Sequence, residues 1–328
     1  AVRLHKIRKL EQEAPTLRVA LVQLNLGIQE RSRRSRTHKG RMGVFQDYLD
    51  ESRRAAEQGA QVAIWPEGGS PYRVVATPHP DGPQPGPGEP LRLTSRGQEV
   101  ATLAGEINTE LWLGALTALR DPDTGEAIYH NSAFRFDGEG GKDRRYDKII
   151  LLPFGEFMPG RHVLPELTSK VKGVGNFYPG QDVVVFDTPW TSFNFLICYE
   201  AIRSRFVRRS VEAGSRFFVT ITNDAWFGDT SCPSQHLMLT ANRCTEYGCP
   251  MVRVANTGIS AVIDARGLIV EQTKPFTAQT VIADVPLVYA PTIYTHIGDS
   301  FSYLCAVVAL CGWFLPYLRR RSDKPDAG

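Results

Sequence analysis

FNFLICYE, residues 193–200, contains the cysteine around which the rest of the chain is organised. The apolar run Phe193 to Ile197 predicts a buried strand, and the helical spacing of apolar residues from Ala201 to Gly214 predicts a helix after it. Cys198 is therefore expected on a strand-to-helix turn, where the positive end of the helix favours the thiolate over the thiol. Such a cysteine is either a catalytic nucleophile or a small buried apolar residue.

The composition is that of a globular protein with a sizeable core. The 328 residues, 42% of them hydrophobic, suffice for one large domain or two small ones, and a net charge of +3 does not favour a nucleic-acid partner. The six cysteines form no CxxC pair and no zinc spacing, so no metal or cofactor is predicted. One disulfide among Cys232, Cys244 and Cys249 remains open. Because the chain begins with Ala and lacks a signal-peptide pattern, we expect it to be processed or taken from a longer one.

Buried strands and amphipathic helices alternate along most of the chain. Strand 17–23, helix 42–59 and strand 61–65 form a first β-α-β unit, for which parallel pairing is expected. Further strands are predicted at 110–116, 127–136, 216–222, 251–255, 260–264 and 279–284, and further helices at 95–107 and 233–247. This order predicts a four-layer α-β-β-α sandwich over residues 17–290, preceded by an arm or linker at 1–16.

A glutamate and a lysine near strand ends could act together with the cysteine. Glu67 follows strand 61–65 at the carboxyl end, where open α/β sheets place their chemistry, although a capping or solvated carboxylate is the simpler alternative. Lys148 lies among apolar residues and so needs a carboxylate partner, unless its stem only crosses the surface. The carboxylate could take the thiol proton, and the ammonium could stabilise a thiolate or an oxyanion.

Two other segments indicate lipid. The basic run at 31–41, RSRRSRTHKGR, predicts a solvated loop or a contact with anionic lipid headgroups. Residues 301–318 carry no charge and precede three arginines, which predicts a transmembrane helix within a 291–321 segment; a buried core helix is the alternative. By the positive-inside rule, the tail at 322–328 would be cytoplasmic and the folded domain extracytoplasmic.

The three candidate residues and their motifs resemble a known superfamily. WPE at 65–67, YDK at 146–148, ICYE at 197–200 and NDAWFG at 223–228 resemble the Glu-Lys-Cys triad motifs of the nitrilase, or carbon–nitrogen hydrolase, superfamily, over residues 17–286. One branch, the bacterial apolipoprotein N-acyltransferases, is also similar at PFGE 153–156, QHL 235–237, NTGIS 256–260 and YTHIGD 294–299.

The resemblance implies a nitrilase-like sandwich and an acyl transfer. An acyl chain would pass from a phospholipid to a Cys thioester, and then to the α-amine of a diacylglyceryl-cysteine on a lipoprotein, on the periplasmic side of the bacterial inner membrane. The implied roles are general base for Glu67, electrostatic stabiliser for Lys148, nucleophile for Cys198, support of the lysine for Glu156, and bracing of the nucleophile turn for Tyr199 and Glu200. His236 is expected to be structural.

The chain departs from that branch in two places, and two alternatives stay open. The N-terminal membrane helices of the family are absent and are expected to have been left out or cut off. Residues 28–41 are basic and contain no Trp, which the family often has there. An amidase or nitrilase acting on a small amide or nitrile would use the same triad, but has no use for the apolar tail. An inactive membrane-anchored binding domain would not need Glu156 and the triad together.

Overall fold

A computed structural model describes residues 2–75, 92–120, 127–138, 144–159 and 177–322 of the chain. Its strands are β1 (Thr16–Gln23), β2 (Val62–Ile64), β3 (Glu110–Arg120), β4 (Ala127–Phe136), β5 (Arg144–Asp147), β6 (Phe186–Asp187), β7 (Ser192–Ile197), β8 (Phe217–Thr222), β9 (Met251–Ala255), β10 (Ala261–Ile263), β11 (Ile269–Gln272) and β12 (Gln279–Pro286). The helices are Val2–Glu13, Ile28–Ser35, His38–Glu57, Ser95–Ile107, Ser204–Glu212, Cys232–Tyr247, Ile293–Ile297 and Ser300–Ser322, and Cys198–Ile202 and Asp224–Phe227 are 3-10 helices.

In this part of the chain the strands form two mixed, six-stranded sheets. The first has the order β12-β1-β2-β3-β4-β5, with β1, β2 and β3 parallel. The second has the order β11-β10-β9-β8-β7-β6, with β7, β8 and β9 parallel. The parallel strands are buried at nearly every residue, which explains why they are continuous apolar runs in the sequence rather than alternating ones.

The two sheets pack face to face and helices cover their outer sides. Between the sheets, Trp112 of β3 stacks on Phe193 of β7 with ring centroids 4.0 Å apart. Helices 38–57 and 95–107 cover the first sheet, where Tyr48 stacks on Trp65 at 4.9 Å, and helices 204–212 and 232–247 cover the second. Each such side chain contributes about 1.5–3 kcal/mol by leaving water. The α/β sandwich predicted from the sequence is confirmed.

The N-terminal region is more ordered than the sequence predicted. Instead of an arm or linker at 1–16, helix Val2–Glu13 places Ile7, 2% exposed, against Val288. The basic run is not a loop, because it lies in helices 28–35 and 38–57. Thr37 makes this possible by capping the second helix, accepting a hydrogen bond from the Gly40 N–H. The predicted loop at 78–90 and turn at 121–126 lie outside the described residues.

The transmembrane helix predicted at 301–318 is not found. Helix Ser300–Ser322 forms there, but no helix in the described part of the chain is long and apolar enough to cross a membrane. The core-helix alternative is also wrong, because Phe301 and Trp313 are 67% and 72% exposed.

Candidate active site

The candidate residues come together where strands of both sheets end. Glu67 follows β2 of the first sheet after Trp65 and Pro66, and Lys148 directly follows β5 of the same sheet. Cys198 directly follows β7 of the second sheet. A close approach of β3 shapes the glutamate loop: a Cβ on Gly114 would lie 2.6 Å from the Pro66 carbonyl oxygen, so only glycine fits there.

Glu67 is held by three donors from three different segments. Its Oε1 accepts a hydrogen bond from Asn131 Nδ2 at 2.6 Å and lies 3.5 Å from Lys148 Nζ. Its Oε2 accepts from the Asn223 backbone N–H at 2.9 Å. The carboxylate is 14% exposed, so it is fixed in position and still accessible to a reactant.

Lys148 is 1% exposed and lies between two carboxylates. Its Nζ contacts Glu156 Oε2 at 2.7 Å and Glu67 Oε1 at 3.5 Å. Burial alone would lower the pKa of Lys148, but the charges of Glu67, Cys198 and Glu156 outweigh burial and raise it. Lys148 is therefore a fixed positive charge, as an electrostatic stabiliser requires.

Cys198 differs from its sequence prediction in two respects. It begins a 3-10 helix rather than an α-helix, and its backbone has a φ of 53°, a strained value for a residue with a Cβ. Burial, followed by the charge of Glu67, raises the pKa of its thiol to about 12, although Lys148 and a hydrogen bond from Thr222 act in the opposite direction. The neutral thiol is thus favoured, because burial and the charge of Glu67 outweigh Lys148 and Thr222. A thiol of this kind needs a base to become a nucleophile.

Glu200 joins the cysteine turn to the lysine loop. Its fully buried carboxylate accepts from the Ile197 N–H at 2.8 Å, the Ile149 N–H at 2.7 Å and the Tyr146 hydroxyl at 2.6 Å. Burial raises the pKa of Glu200 to about 7, opposed by the Tyr146 hydrogen bond and by Lys148. This geometry suits a bracing role.

Tyr199, by contrast, is not drawn into the cluster. Its ring lies 5.6 Å from the Arg203 guanidinium, which also donates to the Tyr199 hydroxyl at 3.3 Å. These contacts lie on the surface side of the nucleophile turn.

Asn131 is a member of the site that the sequence analysis missed. It lies in β4 and is 6% exposed. Its amide nitrogen donates both to Glu67 Oε1 at 2.6 Å and to Glu156 Oε1 at 2.9 Å. It therefore holds two like charges in place beside Lys148. The signal that could have found it is the polar triplet His130-Asn131-Ser132 in the middle of a strand that is otherwise mostly apolar.

His236 lies in a buried ionic cluster behind the NDAWFG motif. Asp224 contacts Arg253 at 2.7 Å and His236 Nδ1 at 3.1 Å, and both Asp224 and Arg253 have fully buried side chains. Burial would raise the pKa of Asp224, but Arg253 and His236 lower it to about 2. The cluster fixes the 3-10 helix that follows Asn223.

All six cysteines are in the described residues and free, so the disulfide left open by the sequence does not form.

Large apolar side chains are exposed on the two loops that support the cluster. Phe154, two residues before Glu156, is 68% exposed, and Trp226, three residues after Asn223, is 74% exposed. Both side chains lie close in sequence to residues that contact Glu67 or Lys148.

Comparisons with known proteins agree with this architecture. A family model described as carbon-nitrogen hydrolase matches residues 18–293. The apolipoprotein N-acyltransferase of Geobacter metallireducens is 36% identical over 271 residues, which are 82% of this chain and 48% of that protein. The apolipoprotein N-acyltransferase of Haemophilus influenzae is 31% identical over 228 residues, 67% of this chain and 43% of that protein. The chain thus spans about half the length of the curated relatives it matches.

Solved structures share the fold at low sequence identity. Saccharomyces cerevisiae Nit3, a member of branch 10 of the nitrilase superfamily, aligns with a TM-score of 0.58 at 19% identity, covering 82% of this chain and 90% of that one. An amidase from Nesterenkonia aligns with a TM-score of 0.58 at 18% identity, covering 88% of this chain and 96% of that one. Together, the matched family, the two sheets and the residues at their strand ends lead to one conclusion: the chain belongs to the carbon–nitrogen hydrolase family.

Proposed function

We propose that this chain is the catalytic part of an N-acyltransferase, which moves an acyl chain from a phospholipid to the α-amine of a diacylated lipoprotein. The observation that carries this choice is the similarity, over 82% of the chain, to a protein named apolipoprotein N-acyltransferase. The exposed Phe154 and Trp226 beside the site support a lipid substrate over a small amide.

In the proposed acylation, Glu67 accepts the proton of Cys198 as its sulfur attacks the ester carbonyl of the phospholipid. Lys148 stabilises the oxyanion of the tetrahedral intermediate, because its ammonium is already fixed in the site. The intermediate collapses by breaking the ester C–O bond, and protonated Glu67 returns its proton to the leaving lysophospholipid oxygen. The product is a thioester at Cys198.

Transfer to the lipoprotein follows the same proton path in reverse order. The neutral α-amine attacks the thioester carbonyl, Glu67 takes the proton from the nitrogen, and the C–S bond breaks. The released thiolate takes this proton back from Glu67, so the enzyme returns to its starting state. Glu156 and Asn131 support these steps by holding Lys148 and Glu67, and Glu200 holds the nucleophile turn.

The proposed substrates also determine the location of the reaction. A phospholipid donor and a diacylated acceptor are both held in a membrane. We therefore propose that the chain acts at the bacterial inner membrane, with its catalytic domain on the periplasmic side. Fractionation of cells, followed by protease treatment of intact spheroplasts, would test this location: resistance of the domain in spheroplasts would contradict it.

The proposed chemistry is tested by mass spectrometry of the intact chain in mixed phospholipid–detergent micelles. We expect a gain of one acyl chain at Cys198 and release of lysophospholipid. Cys198→Ala should abolish the gain and Glu67→Gln should suppress it strongly, whereas Cys232→Ala, which removes an exposed cysteine, should load normally. A diacylated lipopeptide with a free amine should then discharge the enzyme, and its N-acetylated form should not.

The result that contradicts the proposal is equally specific. If phospholipid adds no acyl mass while small amides or nitriles are hydrolysed at Cys198, the chain is an amidase or nitrilase. If neither reaction occurs although Cys198 can be alkylated, the chain is a binding domain.

A further inference from the structure

A cavity of about 290 Å³ lies next to the loop that carries Glu67. Gly69 and Ser70, the second and third residues after Glu67, form one wall, and the helices that contain the basic run form another. Leu26 and Leu116 contribute an apolar side. The volume suits the headgroup of a lipid rather than the whole molecule.

The cavity carries excess positive charge. Arg31, Arg41 and Arg73 line it, and none of its lining residues is acidic. Within the basic run, Arg33 and Arg34 pair with Glu30, whereas the ion pairs of the described residues include neither Arg31 nor Arg41. Arg31 and Arg41, the two arginines of the run that line the cavity, thus have no carboxylate partner among the described residues.

The polar groups of the cavity are positioned by the fold. Arg31 donates to the Gly68 carbonyl oxygen, and Arg41 donates to the Ser35 carbonyl oxygen at 2.7 Å. The Arg41 guanidinium lies 5.9 Å from the centre of the Tyr72 ring. Each guanidinium has five N–H groups, so both keep donors for a ligand. The Tyr72 hydroxyl is buried and has no hydrogen-bond partner among the residues that the structure describes.

Two connections join this cavity to the candidate active site. The first is the loop itself, since Arg31 binds the residue directly after Glu67. The second is a chain of hydrogen bonds: Leu26 exchanges two with Asn256, Asn256 donates to Asn223 at 3.2 Å, and the Asn223 N–H donates to Glu67 at 2.9 Å. A ligand in the cavity would therefore contact the loop that carries Glu67.

We propose that this cavity binds the phosphate diester of the phospholipid donor, an inference that rests on the proposed function. Arginine is suited to phosphate because its N–H groups can bind two oxygens at once. In a glycerophospholipid the phosphate and the ester carbonyl are attached to the same glycerol, so a phosphate site must be near the nucleophile. Leu26 and Leu116 fit the apolar glycerol-ester part, and binding the phosphate orients the ester toward Cys198.

The test compares two acyl donors in one variant. Acylation of Cys198 is followed by intact-protein mass spectrometry with a phospholipid and with a p-nitrophenyl acyl ester, which has no phosphate. Arg41→Gln should lower kcat/KM for the phospholipid tenfold or more, by loss of a charged contact to phosphate. It should leave acylation by the p-nitrophenyl ester within twofold. Arg54→Gln is the matched control, because it removes the same charge from the same helix at a 66% exposed side chain that pairs with Glu51.

Each alternative result has a distinct meaning. Equal loss with both donors, or no loss with either, overturns the phosphate site. Inorganic phosphate is added in a further arm: if Arg41→Gln abolishes inhibition by phosphate but leaves phospholipid acylation unchanged, the cavity binds a free anion and the lipid inference is overturned. If wild type is acylated by the p-nitrophenyl ester but never by phospholipid, the proposed function fails instead.

Discussion

Replacing Glu67 by glutamine should make the Cys198 thiol more reactive toward an alkylating reagent, while it prevents acyl transfer. Burial and the charge of Glu67 raise the pKa of Cys198 to about 12, and Lys148 opposes them. With such a pKa, only about one thiol in 10⁴ is ionised at pH 8, some three orders of magnitude fewer than for a free cysteine. The variant removes the like charge and keeps the ammonium.

The expected size of the effect follows from these charges. Loss of a neighbouring like charge lowers a pKa by about two units, which raises the thiolate fraction about 100-fold. A less basic thiolate is also a weaker nucleophile, by about eightfold for a Brønsted coefficient of ~0.45. The larger thiolate fraction outweighs this loss, so alkylation at pH 8 should be faster by about tenfold. Acyl transfer should still fail, because no group remains to return a proton to the leaving oxygen.

The assay is the rate of iodoacetamide labelling at Cys198, resolved by peptide mapping between pH 7 and 10. Cys232, which is exposed, provides an internal standard in the same sample. Glu156→Gln is the matched variant: it also removes a carboxylate near Lys148, but Glu156 is not among the largest influences on the pKa of Cys198. If Cys198 of Glu67→Gln is alkylated more slowly than Cys198 of the wild type, Glu67 promotes alkylation more by accepting the thiol proton than it hinders alkylation by its charge. That result would refute the prediction.

Three further substitutions test other parts of the site. Asn131→Leu removes two hydrogen bonds to carboxylates, each worth about 1.5–3 kcal/mol. In steady-state kinetics, kcat for acylation should therefore fall about 100-fold with little change in KM. An unchanged kcat would show that the amide is dispensable. Gly114→Ala places a Cβ 2.6 Å from the Pro66 carbonyl oxygen, and calorimetry should record a lower melting temperature together with reduced acylation. Asp224→Asn breaks the buried ion pair with Arg253 and should lower the free energy of unfolding, measured with denaturant, by about 3–5 kcal/mol. Because the pKa of Asp224 is lowered to about 2, the stability that its ionised carboxylate contributes is present above pH 4 and is lost as the pH falls toward 2. The variant should lack this loss of stability in acid. An identical loss in both proteins would assign it to other groups.

Strands and helices with continuous or periodic apolar residues could be predicted closely from the sequence. Helix 95–107 and strands β4 and β9 have the predicted bounds. Three short strands were missed: β5, with the sequence RRYD, β6, with the sequence FD, and β11, with the sequence IVEQ. All three lie at a sheet edge, where hydrogen bonding to a single neighbouring strand determines the strand, and each is too short to show a pattern in the sequence.

The candidate site shows the same limit at the level of single residues. Glu67 and Cys198 follow strands that the sequence predicted, whereas the strand before Lys148 was missed, and only the apolar neighbours of Lys148 indicated that it needs a carboxylate partner. Asn131 lies inside a strand, and its role depends on Glu67 and Glu156, which are distant in sequence. The ionisation of Cys198 depends on burial by both sheets, which no local pattern contains.

The charge balance of the cluster favours an amine as the acceptor in the proposed reaction. Two carboxylates, Glu67 and Glu156, surround the single ammonium of Lys148, so the site is negative overall when Cys198 carries an acyl group. A lipoprotein α-amine has a pKa near 8, and much of it is cationic at neutral pH. The net charge attracts this ammonium, and Glu67 can then take the proton that must leave before the nitrogen attacks. Water gains nothing from such attraction. In the proposed reaction, the supporting glutamate would thus contribute to the choice of acceptor as well as to the position of Lys148.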